Sequence, residues 1–314
     1  MQVIRVGSRG SALALRQTRT ITELIADLNP GIQCSIEVIR TTGDRILDTP
    51  LTAIGEKGLF VKEIEAALLT GEIDVAVHSA KDLPSEMDDR LCIAAFPQRI
   101  CPADALISKK GSLKSLPANS VVGTSSLRRR AQILAVRRDI ILKDLRGNID
   151  TRLRKLDDGQ YDAIILAAAG LKRLGLESRI TELLDYQLCL PAVGQGALAI
   201  QCRADDPICE IMSRLDCPET RCCVTAERAL LAGLGGGCQV PIAALARIVD
   251  GQLVLDGLVA DLEGKAIVRK QQTGDTSQPD ELGSGLGALL LDSPAGKLLE
   301  AAHNTCEPKD QGAV

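Results

Sequence analysis

The sequence predicts an α/β protein in which two similar α/β lobes surround a cleft and a smaller C-terminal α+β domain follows. Strand-like and helix-like segments alternate twice along the first two thirds of the chain, and polar turns follow the strands. A run with one proline and two glycines at 190–196 predicts that the chain crosses back to the first sheet. The last hundred residues have another order: one helix, three strands, then helices. The predicted domains are residues 1–97 with 195–214, residues 98–194 and residues 215–314.

The first lobe begins with a strand-like segment at 2–7, which lacks the pattern of a signal peptide. Apolar residues at helical spacing predict a helix over 12–28, and Asn29-Pro30-Gly31 ends it. The further segments predicted for this lobe are a strand at 35–40, a helix at about 60–69 and a strand at 73–77.

The second lobe repeats this order. Thr124-Ser125-Ser126 and Asn148 are residues that cap helices, so each marks the start of one. Ligands of open α/β sheets bind beyond the carboxyl ends of the strands, and two lobes joined by two crossings can open and close. The polar turns after the strands are therefore the candidate site. The strands predicted here are 120–123, 139–143 and 161–167, and a strand at 197–202 rejoins the first sheet.

Composition limits the class of protein. The chain has 314 residues, a net charge of −4 and an apolar fraction of 45%. Its only aromatic residues are Phe60, Phe96, Tyr161 and Tyr186, so the core must be aliphatic. No apolar run is long enough to span a bilayer. We therefore expect a cytoplasmic protein that does not contact membranes.

The chain has eleven cysteines, an odd number in a long sequence without an export signal. A disulfide framework is not expected in such a protein. Cys217, Cys222 and Cys223 cluster, but their spacing is not that of a zinc site. His78 and His303 are the only histidines. We expect no metal.

The segment from Arg128 to Lys155 is strongly basic. Arg128, Arg129 and Arg130 fall in the predicted first turn of a helix, and Arg152 is placed in the same way after Asn148. The positive end of the helix dipole disfavours cations there by about 0.3–1 kcal/mol each. A bound carboxylate or phosphate would resolve this conflict, with capping hydroxyls and amides as further donors. The alternative is a solvated basic helix face.

Nucleic acid is a rival ligand for these cations. Binding of single strands uses aromatic side chains between the cations, and residues 97–160 contain no aromatic residue. The spacing of a helix-turn-helix or a zinc finger is also missing. We therefore expect a small anionic ligand and no nucleic acid.

Two further residues carry candidate chemistry. Cys238 follows three glycines after a helix-like run, where Gly233 is placed to end the helix in the left-handed conformation. A thiol on such a bare turn can be a nucleophile or a covalent anchor. Asp82 follows a predicted strand and can act as a general acid or stabilise a developing cation. The alternatives are a buried structural cysteine, a turn-making aspartate and, at His78, a satisfied strand-end histidine.

These pieces together resemble the porphobilinogen deaminase (hydroxymethylbilane synthase) family over nearly the whole chain. Seven motifs carry the resemblance, each at a predicted turn and in order along the chain. They are Gly7-Ser-Arg-Gly-Ser-Ala-Leu-Ala14, Gly55-Glu-Lys-Gly-Leu-Phe60, His78-Ser-Ala-Lys-Asp-Leu-Pro84, Gly123-Thr-Ser-Ser-Leu-Arg-Arg129, Arg146-Gly-Asn-Ile-Asp-Thr-Arg152, Pro191-Ala-Val-Gly-Gln-Gly-Ala197 and Gly236-Gly-Cys-Gln-Val-Pro241.

The resemblance implies two lobes like periplasmic binding proteins and a monomeric transferase of tetrapyrrole and heme biosynthesis. It implies a dipyrromethane cofactor joined to Cys238 by a thioether, onto which four porphobilinogen molecules add head to tail with loss of ammonia before hydrolysis releases hydroxymethylbilane. Asp82 is implied to assist loss of ammonia and to stabilise the cations. Lys57 and Phe60 are implied to lie on a loop over the cleft. The residues predicted to bind carboxylates are Arg9, Ser11, Ser79, Lys81, Thr124, Ser125, Ser126, Arg128, Arg129, Arg146, Arg152 and Gln195.

Some positions depart from the family pattern. Ala53 replaces a lysine of some members, Leu230 stands where phenylalanine is common, and Gln201 stands where glutamate is common.

Two other hypotheses compete with the transferase. A non-catalytic two-lobed anion-binding protein explains the cleft and the arginines but leaves Cys238 and the third domain without a task. A nucleic-acid binder that contacts phosphates predicts a steep salt dependence.

Overall fold

The computed structural model describes residues 2–42, 61–236 and 240–306. The strands are β1 (Gln2–Arg9), β2 (Ile32–Ile39), β3 (Val75–Ser79), β4 (Leu91–Ala95), β5 (Asp104–Ser108), β6 (Val121–Gly123), β7 (Ile141–Lys143), β8 (Ala163–Ala167), β9 (Glu182–Leu183), β10 (Leu198–Arg203), β11 (Ile242–Val249), β12 (Gln252–Ala260) and β13 (Ile267–Gly274). The helices are α1 (Ala12–Leu28), α2 (Lys62–Leu69), α3 (Leu127–Val136), α4 (Ile149–Asp157), α5 (Ala168–Arg173), α6 (Ile208–Ser213), α7 (Pro218–Gly233), α8 (Pro279–Leu291) and α9 (Pro294–Cys306).

The first lobe is built on a five-stranded sheet of order β2-β1-β3-β10-β4. Strands β1, β2 and β3 are parallel, and β10 runs antiparallel to β3 and β4. The core of this lobe packs α1 against the sheet through aliphatic side chains, among them Ile4, Val6, Ile21 and Ile200. The polar residues that follow β1 and β3 consequently meet at one edge of the sheet.

The second lobe repeats this plan with a sheet of order β7-β6-β8-β5-β9. Strands β6, β7 and β8 are parallel, and β5 runs antiparallel to β8 and β9. Leu106, Val122, Ile133 and Ile165 lie in its core between the sheet and α3. The turns after β6, β7 and β8 therefore also share one edge.

The C-terminal domain is a three-stranded antiparallel sheet, β11-β12-β13, against which α7 and α8 pack. The two helices approach closely at Gly283, where an added Cβ would lie 2.3 Å from the carbonyl oxygen of Ala226. Leu230, one of the departures from the family pattern, is fully buried in this core and cannot reach a ligand. The predicted fold class of two α/β lobes and a smaller α+β domain is confirmed.

The structure also differs from the sequence prediction in places. Helix α7 continues through Gly233, and the positive φ angles lie at Gly235 (83°) and Gly236 (51°), so the predicted left-handed cap at Gly233 is wrong. By contrast, the predicted strand at 197–202 that rejoins the first sheet is confirmed as β10, which pairs with β3 and β4. The numerical domain limits stay a prediction.

Three classes of feature are not found in the described ranges. The cysteines whose side chains are placed there are free. No cluster of three or more His, Cys, Asp and Glu side chains in that part of the chain could hold a metal ion. None of the helices described is both long enough and apolar enough to cross a bilayer.

Candidate active site

A cavity of about 660 Å³ lies between the edges of the two lobes. Its wall comes from the residues after β1 and β3 in the first lobe, from those after β6, β7 and β8 in the second, and from the second crossing. This is the place where two open α/β sheets present their ligand-binding ends. The predicted site residues that line it are Arg9, Ser11, Ser79, Lys81, Asp82, Ser125, Arg129, Arg146, Arg152 and Gln195.

Asp82 ends a short 3-10 turn (Ala80–Asp82) directly after β3. The turn is anchored by the backbone N–H of Ala80, which donates to the carbonyl of Ala197 at 3.0 Å, and by the buried side chain of Leu83. The carboxylate of Asp82 is exposed to the cleft and lines the cavity. The backbone that carries this carboxylate is therefore anchored at the cavity wall.

Lys81 lies beside Asp82 and lines the same cavity. Lys81 is exposed to the cleft, yet the protein around the cleft partly desolvates its ammonium group and lowers its pKa to about 8. The negative charge of Asp82 opposes this shift, and the positive charge of Arg129 adds to it. Lys81 is therefore a cation at neutral pH that a ligand carboxylate would stabilise.

Arg146 and Arg152 bring positive charge from the second lobe. Nε of Arg152 donates to the carbonyl of Gly147 at 2.7 Å, which holds the guanidinium at the start of α4. The pKa of Arg152 is lowered to about 10, mainly by burial and in addition by the charges of Arg129 and Arg146, while the charge of Asp82 opposes this shift. Asp82 of the first lobe and Arg152 of the second thus face the same space.

The cations at the start of α3 have a buried carboxylate partner. Asp104, on β5, lies 2.7 Å from Nη1 of Arg128 and 2.7 Å from Nη2 of Arg129. Burial alone raises the pKa of Asp104, but the two guanidinium groups hold it well below its usual range. The negative charge of Asp104 therefore offsets the unfavourable interaction of these arginines with the helix dipole. Asp104 is a residue that the sequence analysis missed.

Arg128 and Arg129 differ in what else they contact. Nη1 of Arg128 also donates to the carbonyl of Leu190 at 2.6 Å, and the side chain lies behind the cavity wall. Nη1 of Arg129 donates to the carbonyl of Ile165, yet Arg129 still lines the cavity. Arg128 therefore joins α3 to the interior of its lobe, whereas Arg129 also presents charge to a ligand.

The three capping hydroxyls have structural partners. Oγ1 of Thr124 accepts from the backbone N–H of Ser126, and Oγ of Ser126 accepts from that of Arg129. Oγ of Ser125 donates to the carbonyl of Leu145 and accepts from its N–H. Of the three, Ser125 alone lines the cavity, so the other two shape the turn that presents it.

The first lobe adds hydroxyl and amide groups. Ser11 caps α1, with Oγ accepting from the N–H of Ala14, and still lines the cavity. Oγ of Ser79 accepts from Nε2 of Gln17 at 3.0 Å. Arg9, at the end of β1, lies beside them. Gln17 also lines the cavity and was not predicted from the sequence.

Gln195 lies on the second crossing between the lobes. Its Nε2 donates to Oδ1 of Asp104 at 2.9 Å and to the carbonyl of Pro102 at 2.7 Å. Its side chain is buried, and Oε1 has no hydrogen-bond partner among the described residues. Because Gln195 is a residue of the cavity wall, this orphaned acceptor is a candidate partner for an N–H or O–H of a ligand.

Arg173 is a cavity residue that the sequence analysis also missed. It lies at the end of α5, and its Nη2 donates to the carbonyl of Gly196 at 2.8 Å. Burial lowers its pKa to about 10, so it stays charged at neutral pH. Its place shortly after the predicted strand at 161–167 is a signal that could have found it. Arg40, after β2, adds another cation to the wall.

The cavity is thus strongly cationic, with few opposing carboxylates. Arginine forks suit carboxylates and phosphates, and many of them around one cavity suit a ligand with several such groups. Among the described residues, Asp82 is the single carboxylate that lines the first-lobe side of the cavity. The site can therefore bind a polyanion and stabilise one positive charge that develops within it.

Models of two protein domains match the chain. The dipyromethane cofactor binding domain of porphobilinogen deaminase matches residues 4–210, and the C-terminal domain of porphobilinogen deaminase matches residues 221–292. The chain belongs to the porphobilinogen deaminase family. Relatives of that name are 52% identical in Roseiflexus castenholzii (94% of this chain, 98% of the relative) and 49% identical in Syntrophobacter fumaroxidans (96% and 98%).

Solved structures with a similar outline include a TRAP periplasmic solute binding protein from Desulfovibrio salexigens. It covers 68% of this chain and 72% of its own, with a TM-score of 0.40 and 10% identity. A likeness at this level carries no argument about function.

The family's dipyrromethane cofactor fits what the cavity offers. Two pyrrole rings with acidic side chains need several cations and a space in the range of small-ligand sites, about 300–1,000 Å³. The cavity provides about 660 Å³ and guanidinium groups from both lobes. The orphaned Oε1 of Gln195 adds an acceptor that a pyrrole N–H could use.

Some of the predicted site residues lie outside the described residues. They are Cys238, Lys57 and Phe60, and the departure at Ala53 lies there too. The chain just before Cys238 is described, however. Gly236 lies against the loop after Asp82, since an added Cβ at Gly236 would be 2.8 Å from Oγ of Ser85. Arg228, on α7, also holds this loop by donating to the carbonyl of Pro84 at 2.8 Å.

Proposed function

We propose that this member of the porphobilinogen deaminase family is a hydroxymethylbilane synthase that uses the described cavity as its active site. It joins four porphobilinogen molecules head to tail with loss of ammonia, and water then releases the linear product. One observation carries the assignment of the site: Asp82 of one lobe and Arg129, Arg146 and Arg152 of the other line one cavity. The proposed substrate is a soluble small molecule, and no nucleic acid takes part in the proposed reaction.

The cations bind the substrate's acidic side chains. Each pyrrole of porphobilinogen has an acetate and a propionate, so a growing chain gains two carboxylates with every addition. Bidentate contacts from arginine hold carboxylates in a fixed orientation, which lysine cannot do. We assign this role to Arg9, Lys81, Arg129, Arg146, Arg152 and, in addition to the sequence prediction, Arg173, with Ser11, Ser79 and Ser125 as hydroxyl partners.

Asp82 stabilises the cation that forms when ammonia leaves. The C–N bond of the aminomethyl group breaks, its electron pair departs with nitrogen, and the pyrrole ring donates electrons to the carbon left behind. A fixed carboxylate beside the resulting positive charge lowers the barrier, and such preorganised groups change rates by about 10²–10³. The anchored turn at Ala80–Asp82 supports this role, because it fixes the backbone that carries the carboxylate at the wall of the cavity.

Cys238 is proposed to hold the dipyrromethane cofactor by a thioether. When bound, the cofactor supplies the free pyrrole position to which the first substrate is joined. The placement of Gly236 beside Ser85 supports this, since two peptide units span at most about 7 Å and Ser85 lies three residues after Asp82. Gln195, Arg129 and Arg152 would hold the cofactor's polar groups. Lys57 and Phe60 are proposed to cover the cleft.

Direct carboxylate binding by Arg128, Thr124 and Ser126 stays a prediction. The side chain of each forms a hydrogen bond with another residue of the chain, which favours a role in supporting the site. We propose that Arg128 acts through Asp104, which it shares with Arg129. The three residues would then fix the orientation of Arg129.

We also propose that the protein acts as a monomer in the cytoplasm. Both walls of the cavity come from lobes of the same chain, and the odd number of cysteines suits a reducing compartment in which thiols stay free. Size-exclusion chromatography with light scattering tests the monomer, and a dimer at assay concentrations contradicts it.

The function is tested by adding porphobilinogen to the purified protein and measuring ammonia and linear tetrapyrrole. We expect four ammonia molecules for each tetrapyrrole released. Saturable binding of porphobilinogen without ammonia release supports the alternative of a non-catalytic anion-binding protein. Steeply salt-dependent binding to DNA with no turnover supports the nucleic-acid binder.

A further inference from the structure

A buried chain of polar side chains lies beneath the Asp82 turn. Nε2 of His78, on β3, lies 2.9 Å from Oε1 of Gln201 on β10. Nε2 of Gln201 in turn donates to Oε1 of Glu65 on α2 at 2.8 Å. His78 and Gln201 are buried, and Glu65 is half-buried. Three elements of the first lobe therefore contribute one continuous hydrogen-bonded row.

Glu65 decides how protons are arranged along this row. A carboxylate only accepts hydrogen bonds, so the NH₂ group of Gln201 must face Glu65 and its Oε1 must face His78. An amide oxygen also only accepts, so Nε2 of His78 must carry the proton. In a neutral imidazole the other nitrogen, Nδ1, is then a bare acceptor. It makes no hydrogen bond within the described part of the chain.

His78 also borders a second, smaller cavity of about 60 Å³ that opens beside Asp82. A water molecule needs about 10–15 Å³ of such space, so this side cavity accommodates a molecule of the size of water or ammonia. Because Nε2 is engaged with Gln201, Nδ1 is the ring nitrogen of His78 that is left for a molecule in this cavity. Its polar lining is Arg9, Ser11, Gln17, His78, Ser79 and Asp82.

Burial keeps His78 neutral. Its pKa is lowered to about 4, mainly by burial and to a lesser extent by the charge of Arg9, although the hydrogen bond with Gln201 and the charge of Asp82 act in the opposite direction. Glu65 lies farther away, behind the uncharged amide of Gln201. The uncharged amide of Gln201 adds no negative charge beside His78 that would favour the imidazolium ion.

We propose that Glu65 and Gln201 hold His78 as a neutral Nε2–H imidazole whose Nδ1 accepts a hydrogen bond from the nitrogen that leaves porphobilinogen. The inference rests on the proposed function. As the C–N bond breaks, nitrogen takes the electron pair and departs as NH₃, which has N–H donors and needs an acceptor. A neutral imidazole supplies one without adding positive charge beside the ammonium group or the new cation. Glu65 and Gln201 are positioning residues.

The protonation of His78 is measured on the protein without substrate, by long-range ¹H–¹⁵N NMR of the imidazole rings. The chain has only two histidines, and His303→Gln assigns their signals. We expect the neutral Nε2–H tautomer from about pH 5 to about pH 8, the range in which an ordinary histidine titrates. The Nδ1–H tautomer, or an imidazolium at pH 7, overturns the proposal whether or not the protein is a synthase.

Glu65→Gln tests the positioning role, because it removes the charge that orients Gln201. We expect part of His78 to change to the Nδ1–H tautomer. Glu63→Gln is the matched control: it makes the same chemical change on the same helix, where Glu63 contacts Thr42. It should leave the His78 signals unchanged. Identical spectra for the two variants overturn the role of Glu65.

Gln201→Glu tests the link to catalysis, since the new carboxylate raises the pKa of His78. We expect the kcat of this variant to fall about tenfold as pH is lowered and His78 becomes protonated. The pH at the midpoint of this fall should equal the pKa of His78 that NMR measures in the same variant. A kcat that does not follow this titration overturns the catalytic role, even if the tautomer is as proposed. If wild-type protein releases no ammonia at all, the proposed function has failed and the NMR result stands separately.

Discussion

The Nη2 atom of Arg129 lies 2.7 Å from Oδ1 of Asp104, and both side chains are buried. The same carboxylate accepts from Arg128, from Gln195 and from the thiol of Cys189. Asp104 consequently joins helix α3, strand β5 and the second crossing. An arginine fixed in this way can present its remaining surface to the cavity without losing conformational freedom when a ligand arrives.

Asp104→Asn should strongly destabilise the protein. Removing one partner of a buried ion pair leaves an uncompensated charge and costs about 3–5 kcal/mol. Urea denaturation at neutral pH measures the free energy of unfolding. Asp139→Asn is the control, since Asp139 is partly exposed and pairs with Arg137 at the surface of the same lobe. It should cost about 0–1 kcal/mol. Equal effects of the two substitutions contradict the buried pair.

The effect of Asp104→Asn should also depend on pH. Because the pKa of Asp104 is lower in the folded state than in the unfolded state, its ionised form stabilises the fold above the unfolded value, about 3.9. This contribution is lost as pH falls below that value towards the folded pKa. The difference between wild type and variant should therefore narrow below about pH 4. A difference that widens in acid would show that the sign is wrong.

Lys81 should give the activity an alkaline limb. Its pKa of about 8 means that the ammonium charge is lost as pH rises through this value, and carboxylate binding weakens. We expect kcat/KM, which reports the free enzyme, to fall above about pH 8 in wild type. Lys81→Arg should keep its charge and move the limb upward. Lys172→Arg, an exposed lysine on α5, should leave the limb in place.

Arg152→Leu should stall chain growth. The substitution removes a cation that faces Asp82 across the cavity, so later pyrroles lose a carboxylate partner. Mass spectrometry of the protein during turnover should show accumulated, partly elongated enzyme. Arg154→Leu is the matched control, because Arg154 is exposed on the same helix and does not line the cavity. Accumulation in both variants would contradict a specific role for Arg152.

Asp82→Asn should fold normally and turn over at least about 10²-fold more slowly, as expected when a preorganised charge is removed. Porphobilinogen consumption gives the rate, and thermal unfolding tests the fold. Asp89→Asn changes an exposed residue seven positions later and should have little effect. Near-normal turnover of the Asp82 variant would remove this carboxylate from the mechanism.

The fold could be predicted well where local pattern and topology agree. The helix predicted over 12–28 is confirmed as Ala12–Leu28, because its apolar spacing, cap and stop signals coincide. Strand β5 was not predicted, since its five residues start with the charged Asp104. A charged residue at the start of an otherwise apolar segment was the available signal that this strand carries a buried ion pair.

The site could be predicted as a set of turns but not as a set of contacts. Sequence spacing identifies Arg128 and Arg129 equally, whereas the structure directs one into the interior and leaves the other in the cavity wall. Which of two adjacent side chains reaches a ligand depends on residues far along the chain, here Asp104 and Leu190. Arg173 was missed because its role depends on the second crossing, which it contacts at Gly196.

The central claim is that Cys238 holds a dipyrromethane primer beside Asp82 in the arginine-lined cavity. The intact mass of the protein, produced in cells that make porphobilinogen, tests it most directly. The account predicts the mass of the chain plus one dipyrromethane, and a Cys238→Ser variant with neither the added mass nor activity. Full activity in protein whose Cys238 is unmodified would contradict it.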